Sequence, residues 1–510
     1  MKTRLLTALL ATTALTAPAF AEDLTRIGAV TIGGEVTGLF VKGDDLFFNV
    51  QHPSDDIGNE WAKATIGVVP NANFAADVLP LPEGDAMKMV TTSLGDYQIL
   101  VQEGDFGTIG SIANAEGELF VSNDPDFNAF VPTGDDEGYL FTNWENRPGG
   151  MSRVNLIQAA DGTYSVDESD AMMLDFSPVA GTWVNCFGTL SPWGNPLSSE
   201  ELYFDETADW NNAEYEYISD VEGLVDYLGE YPNPYRYGYI VEITDPAGAA
   251  TPVKHFAMGR FSHENSVVMP DQKTVYLSDD GTNVVFFKFV ADTAGDLSAG
   301  TLSAAKVSQR DDQGFDVEWI ELAHGTEADI AGWIAEYDGI TMDDYKAGET
   351  SYISDEEVAA WAAGDAADDR VAFLESRKAA AAKGASAEFR KMEGVNVNFN
   401  ALAAGEMYAY MAMSEVAKGM SDGEGDVQVE ENKCGIVYQM PMDANYNITA
   451  MNPAVVGGPH DKNAEANSCA LDNISNPDNI AVLDNGDVVI GEDTGNHENN
   501  MIWLWKPAAM

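Results

Sequence analysis

Short acidic phrases recur along this chain in a pattern that could gather metal ligands. Asn143 and Glu145, Asp279 and Asp280, and Glu492 with Asp493 each close an apolar run; Glu264 in GRFSHE and Asp478 in NPDN join them. Oxygen donors of this kind suit hard cations, and Ca²⁺ takes about six to eight of them at once. Asp and Asn also end strands because they make turns, so the recurrence, not any one residue, predicts a shared cation site. Cys186 is a different kind of donor. It lies in GTWVNCFGTLSPWGNPLSSEE, followed closely by Glu200 and Glu201. A thiolate among carboxylates suits a transition metal such as iron. Cys434 and Cys469, each beside an apolar run, could form a disulfide, which leaves Cys186 either buried and inert or held as a ligand or reactive thiolate.

The elements that must position these groups are strands. A turn rich in Gly or Asp, then four or five apolar residues, then Asn, Asp or Glu appears as DDLFFN (44–49), GELFVSND (117–124), GYLFTNWE (138–145), KTVYLSDD (273–280) and NGDVVIGED (485–493). YGYIVEI (237–243), NVVFFKFV (283–290) and GEMYAYM (405–411) are related runs. Such short β-rich segments bounded by turn residues read as strands. Their spread over the whole length predicts an all-β chain, a β-propeller of about six or seven blades in a single domain over 22–510. One stretch departs from this. From 354 to 384 the residues are Ala-rich, with Ser354 and Glu357 as a capping box and Gly364 and Gly384 closing two segments, which predicts a helical insertion. It could be a lid or surface decoration, and decoration is the favoured expectation. The acidic segment 421–431 fits a loop or another cation site equally well.

Composition narrows the partners. The chain has 510 residues with 84 Asp and Glu against 26 Lys and Arg, a formal net charge of −58. A nucleic-acid backbone would be repelled by such a surface. Lys2 and Arg4, the apolar run Leu5 to Leu15 and Ala19-Phe20-Ala21 read as a secretory signal cut after Ala21. No later segment is apolar for long enough to span a membrane. The mature protein is therefore expected to be periplasmic or secreted, without a membrane span, and a monomer. GMSDG (419–423) matches a nucleophile-elbow pattern but lies in a Gly-rich acidic stretch, not between a strand and a helix. Zincin, P-loop, dinucleotide and EF-hand motifs are absent.

The phrases resemble the PhoX-type bacterial alkaline phosphatases. GTWVNCFGTLSPWGNPLSSEE is similar to a cysteine-containing segment of that family that ends in TCEE. GRFSHE with VYLSDD and FFKFV, DFNAF with LFTNWENRPGGMSRV, and SNPDNIAVLDNGDVVIGED resemble further family phrases. GGEVTGLFVKGDDLFFNVQHP (33–53) resembles a phrase found at the family's C-terminal end, as though the ring had been cut at another point. The resemblance implies a six-bladed propeller with calcium and iron at the channel end, hydrolysing phosphate monoesters. By matching position, Cys186 is the iron-bridging cysteine, Glu264 and Glu393 belong to the metal cluster, and Glu35, Glu145 and Asp478 fall in matching phrases. The family's Arg-Pro-Glu reads Lys391-Met392-Glu393 here, so Lys391 or Arg390 takes the phosphate-binding role. Hydrolysis of another ester class (phosphodiester, phytate or lactone), or a calcium-stabilised propeller without activity, is the competing reading.

Overall fold

A computed structural model describes residues 24–202, 204 and 206–507; the expected export signal lies outside the described residues. Five of the apolar phrases become the second strands of antiparallel sheets, while YGYIVEI and NVVFFKFV fall in third strands, Ile240–Thr244 and Phe287–Thr293. DDLFFN falls in Asp45–Gln51, GYLFTNWE in Glu137–Trp144, KTVYLSDD in Thr274–Asp279, GEMYAYM in Tyr408–Met413 and NGDVVIGED in Val488–Glu492. Strands of this kind are covered on both faces, so nearly every side chain is buried and the sequence reads as one apolar run rather than an alternation. GELFVSND is different in being largely exposed. It forms one arm of a separate hairpin, Ser111–Asn114 against Gly117–Val121.

Innermost in the sheets are Glu35–Lys42, Pro125–Pro132, Asn185–Leu190, His263–Val268, Met392–Val397 and Pro477–Val482. Each neighbours the next and the last neighbours the first, so these strands enclose a channel. The two chain ends share one sheet: Leu24–Ala29 pairs antiparallel with Met501–Trp505, Leu24 facing Trp505 and Ala29 facing Met501. A ring closed by pairing strands from both ends of the described chain is compatible with more than one cut point.

Every inner strand carries one residue more than its partner. Pro125 faces Trp144 while Asn128 faces Thr142; Asn185 faces Glu200 while Gly188 faces Ser198; His263 faces Asp279 while Asn265 faces Ser278. Met392 and Val395 face Met413 and Met411, and Pro477 and Ile480 face Glu492 and Ile490. Such β-bulges bend the strand and re-aim the side chain that carries the extra residue. They fall at Asp126, Cys186, Glu264, Glu393 and Asp478. In the first sheet the bulge lies further along, between Thr37 and Phe40. There Gly38 has φ 60°, and a Cβ on it would come within 2.3 Å of Asn49 Nδ2.

Among the described residues six helices punctuate the sheets: α1 (Ile218–Leu228), α2 (Glu327–Ala335), α3 (Asp355–Ala363), α4 (Arg370–Leu374), α5 (Ser376–Ala382) and the short α6 (Phe399–Ala404). Ser354 and Glu357 form the capping box of α3, and Gly364 ends it in the left-handed region. α1 and α2 were not anticipated, although Thr326 caps α2 through the backbone N–H of Asp329. The expectation of surface decoration is corrected. Ile330, Ile334, Trp361, Phe373, Leu374 and Ala379 are buried in one core with Phe287, Phe289 and Leu302 of the fourth sheet. Cys434 and Cys469 are joined by a disulfide, and Cys186 is free and buried. No helix among the described residues is long and apolar enough to cross a membrane.

Candidate metal centre

Because equivalent positions of the inner strands lie at one end of the channel, one residue from each converges there. Glu35, Asp126, Cys186, Glu264, Glu393 and Asp478 occupy the first or second position of the six inner strands. A second set follows directly on the ends of the second strands: His52, Glu145, Glu201, Asp280 and Asp493. All of these line one cavity of about 270 Å³, together with Thr37, Gln51, Asp124, Arg147 and Lys391.

Three donor groups run across this cavity: Asp126, Glu145 and Cys186; Cys186, Glu201 and Glu264; Glu264, Glu393 and Asp478. Within each, the donor atoms lie within 4.8 Å of one another. Cys186 is shared by the first two groups and Glu264 by the last two. The Cys186 Sγ is 3.2 Å from Asp126 Oδ2 and 3.1 Å from Glu264 Oε2. The buried oxygens Glu201 Oε1 and Glu264 Oε1 have no hydrogen-bond partner among the described residues. Buried oxygens left in that state are costly. A donor set of carboxylates around a thiol therefore fits metal ions, hard cations at the oxygens and a softer one at Cys186.

The charges point the same way. Burial first, and neighbouring carboxylates second, push the carboxyls of Glu35, Glu201, Glu264 and Asp478 well above their ordinary range. The same causes raise Asp126 to about 8 and Glu393 to about 7. The Cys186 thiol is pushed up by burial and by Glu145 and Glu264. Burial pushes Asp280 up most strongly, but Lys391 together with hydrogen bonds from Glu201 and the Gly281 N–H outweighs it and holds the carboxyl low. Lys391 Nζ bridges Asp280 at 3.3 Å and Glu393 at 3.2 Å, and Ser414 donates to Glu393 Oε1 at 2.5 Å. On the other wall His52 meets Glu35 at 2.5 Å; Glu35 outweighs burial and raises His52 to about 10. Gln51 donates to Glu145 at 2.5 Å.

A pH dependence follows for the metal-stripped protein. Asp126 and Glu393 rise to about 8 and about 7 from ordinary values of 3.8 and 4.5. The folded chain thus holds protons that the unfolded chain releases, so this contribution is complete below about pH 4 and is lost as pH rises toward 8. Thermal melts after chelation should show Tm falling from pH 5 to 8. A Tm that climbs over that interval contradicts the assignment.

Several expected ligands lie elsewhere, for a simple reason. Successive strand residues point to opposite faces, so of each adjacent acidic pair only the second reaches the cavity. Glu200 turns away to Lys254 at 2.9 Å, Asp279 to Arg377, and Glu492 to His497 at 3.0 Å and the Trp503 indole at 2.7 Å. Asn143 donates to the Cys186 carbonyl and holds that backbone from behind. Arg390 is bonded to Glu415 and Thr282, outside the cavity, because the left-handed turn at Lys391 (φ 47°) sends the two side chains apart. The sequence reading did not find Gln51, His52, Asp124, Asp126 or Arg147. Asp126 carried a usable signal: in PDFNAF it holds the same place in its inner strand as Cys186 and Glu264 hold in theirs.

Fold and cavity together define a β-propeller with a strongly acidic site at its channel mouth. The profile of the family described as Alkaline phosphatase PhoX matches residues 147–506. The chain belongs to the PhoX alkaline phosphatase family, whose members are phosphomonoesterases. The solved structure of Pseudomonas fluorescens PhoX in complex with vanadate, a transition state analogue, is similar in fold, with a TM-score of 0.55 at 17% identity over 92% of this chain and 87% of that one. The iodide structure of the Trichoderma reesei Carbohydrate-Active Enzymes Family AA12 protein aligns at a TM-score of 0.40 and 10% identity, over 98% of this chain and all of that one. No curated protein matches the sequence.

Proposed function

We propose that this chain is an exported phosphomonoesterase whose cations sit in the three linked donor groups of a six-bladed propeller. Cys186, Asp126, Glu145, Glu201, Glu264, Glu393 and Asp478 would hold them, calcium at the carboxylate groups and iron at Cys186. The observation that carries this reading is the sharing of Cys186 and Glu264 between adjacent groups, which suits neighbouring ions better than isolated structural ones. When bound, the cations would supply the charge neutralisation and nucleophile activation that phosphoryl transfer requires. The chain's own cations have a separate task. Lys391, fixed between Asp280 and Glu393, presents a point charge to a phosphoryl oxygen, and Arg147 on the opposite wall offers a planar fork. His52 and Glu35 close the same wall. The basic n-region, apolar run and Ala-Phe-Ala of the first residues support export.

Hydrolysis of p-nitrophenyl phosphate before and after chelation tests the reading. Turnover should vanish with the metals and return when calcium and iron are restored. Full activity in stripped protein, or none in fully loaded protein, overturns it.

A further inference from the structure

Behind each adjacent acidic pair at the channel mouth lies an ion pair. Glu200, Asp279 and Glu492 have fully buried side chains and meet Lys254, Arg377 and His497 on the face turned from the cavity. Their chain neighbours Glu201, Asp280 and Asp493 line it. The three acids are not anchored alike. Glu200 also accepts from the backbone N–H groups of Trp183, Gly238 and Tyr239, and Glu492 from those of Ser475 and Met501. Among the described residues Asp279 has one such donor, Val285, at 3.1 Å. Its main partner is Arg377 of α5, 98 residues further along the chain, whose Nε lies 2.9 and 3.0 Å from the two carboxylate oxygens. Arg377 Nη2 also donates to the carbonyl of Asp280 at 2.7 Å.

We infer that Arg377 is a positioning residue of the channel-mouth site, and that the helical segment works as a buttress rather than a lid. The inference rests on the cation-site reading given above. Its guanidinium fixes both the side chain before Asp280 and the peptide after it, so Asp280 can aim only into the cavity. Asp280 in turn holds Lys391, which holds Glu393. A planar fork makes this two-point contact, and an ammonium does not. Burial of α4 and α5 in the core shared with the fourth sheet keeps the fork in place. Groups that orient ligands from behind change metal affinity or activity by about 10–100-fold when removed.

The test compares Arg377→Gln, the double variant Asp279→Asn with Arg377→Gln, and Arg370→Gln. Arg370 pairs with Glu336 and Asp368 in the same helical segment, away from the cavity. Metal per chain after dialysis against a weak chelator and kcat/KM for p-nitrophenyl phosphate are the readouts. Arg377→Gln should retain less metal and lose about 10–100-fold in kcat/KM, while Arg370→Gln matches the unaltered protein. Should the single variant fail to fold, the double variant leaves no buried unpaired charge and carries the same expectation. Full metal retention and unchanged kcat/KM in a folded Arg377 variant, or equal losses in Arg370→Gln, overturn the inference. If the unaltered protein hydrolyses no phosphate ester, the phosphatase reading fails, and metal retention alone still decides the role of Arg377.

Discussion

Glu264→Gln is expected to empty the centre of the site and to abolish turnover. Glu264 belongs to two of the three donor groups, and its Oε2 lies 3.1 Å from the Cys186 Sγ. No neighbouring carboxylate replaces it, because Glu201, Glu393 and Asp478 are already members of those groups. Cations at a phosphoryl group contribute several kcal/mol of transition-state stabilisation, so their loss corresponds to about 10³-fold or more in kcat/KM. The same change should raise the Tm of the metal-stripped protein. Burial and the charges of Asp478 and Glu393 oppose ionisation of Glu264, and an amide of the same shape removes that opposition. Activity and Tm moving in opposite directions would separate a ligand from an ordinary core residue. A variant that keeps its metal and its turnover shows that Glu264 is not a ligand.

Cys186→Ser is expected to split the cluster by metal type. The sulfur sits between Asp126 and Glu264 and is shared by two donor groups. A hydroxyl is a harder and weaker donor than a thiolate, so the softer metal should be lost while calcium at the carboxylates stays. Metal analysis of the purified variant should find iron absent and most calcium retained, with turnover lowered by about 10²-fold or more as one catalytic cation is removed. Iron bound at the unaltered level in this variant would remove Cys186 from the site.

Much of the architecture was legible because second strands are buried on both faces. Runs such as VYLSDD and VVIGED declare themselves as strands, and the acidic residue just past each strand end, Asp280 or Asp493, reaches the channel mouth. Which member of an acidic pair reaches the cavity was not legible. Glu200 and Glu201 look equivalent in sequence, and only strand alternation and the position of Lys254 separate them. Inner strands were harder still. PDFNAFVP and NCFGTL mix polar and apolar residues, and their aim depends on bulges that leave no signature in composition. Asp126 was overlooked for that reason. Arg147, His52 and Asp124 lie in the irregular segments beside strand ends, where nothing local shows which way a side chain faces. The helical segment showed its capping box plainly. The role inferred for it rests on long-range contacts of Arg377 with Asp279 and the Asp280 carbonyl that no local pattern announces.

The charge of the whole chain makes metal central to the account. At −58 the protein repels a phosphate ester unless bound cations reverse the sign locally. The most direct test is anomalous diffraction from crystals of active protein, collected at the iron edge and at a wavelength where calcium scatters. The account predicts peaks within bonding distance of Cys186, Glu264, Asp126, Glu145, Glu201, Glu393 and Asp478, with iron beside Cys186. An active crystal without a peak among these residues would contradict it.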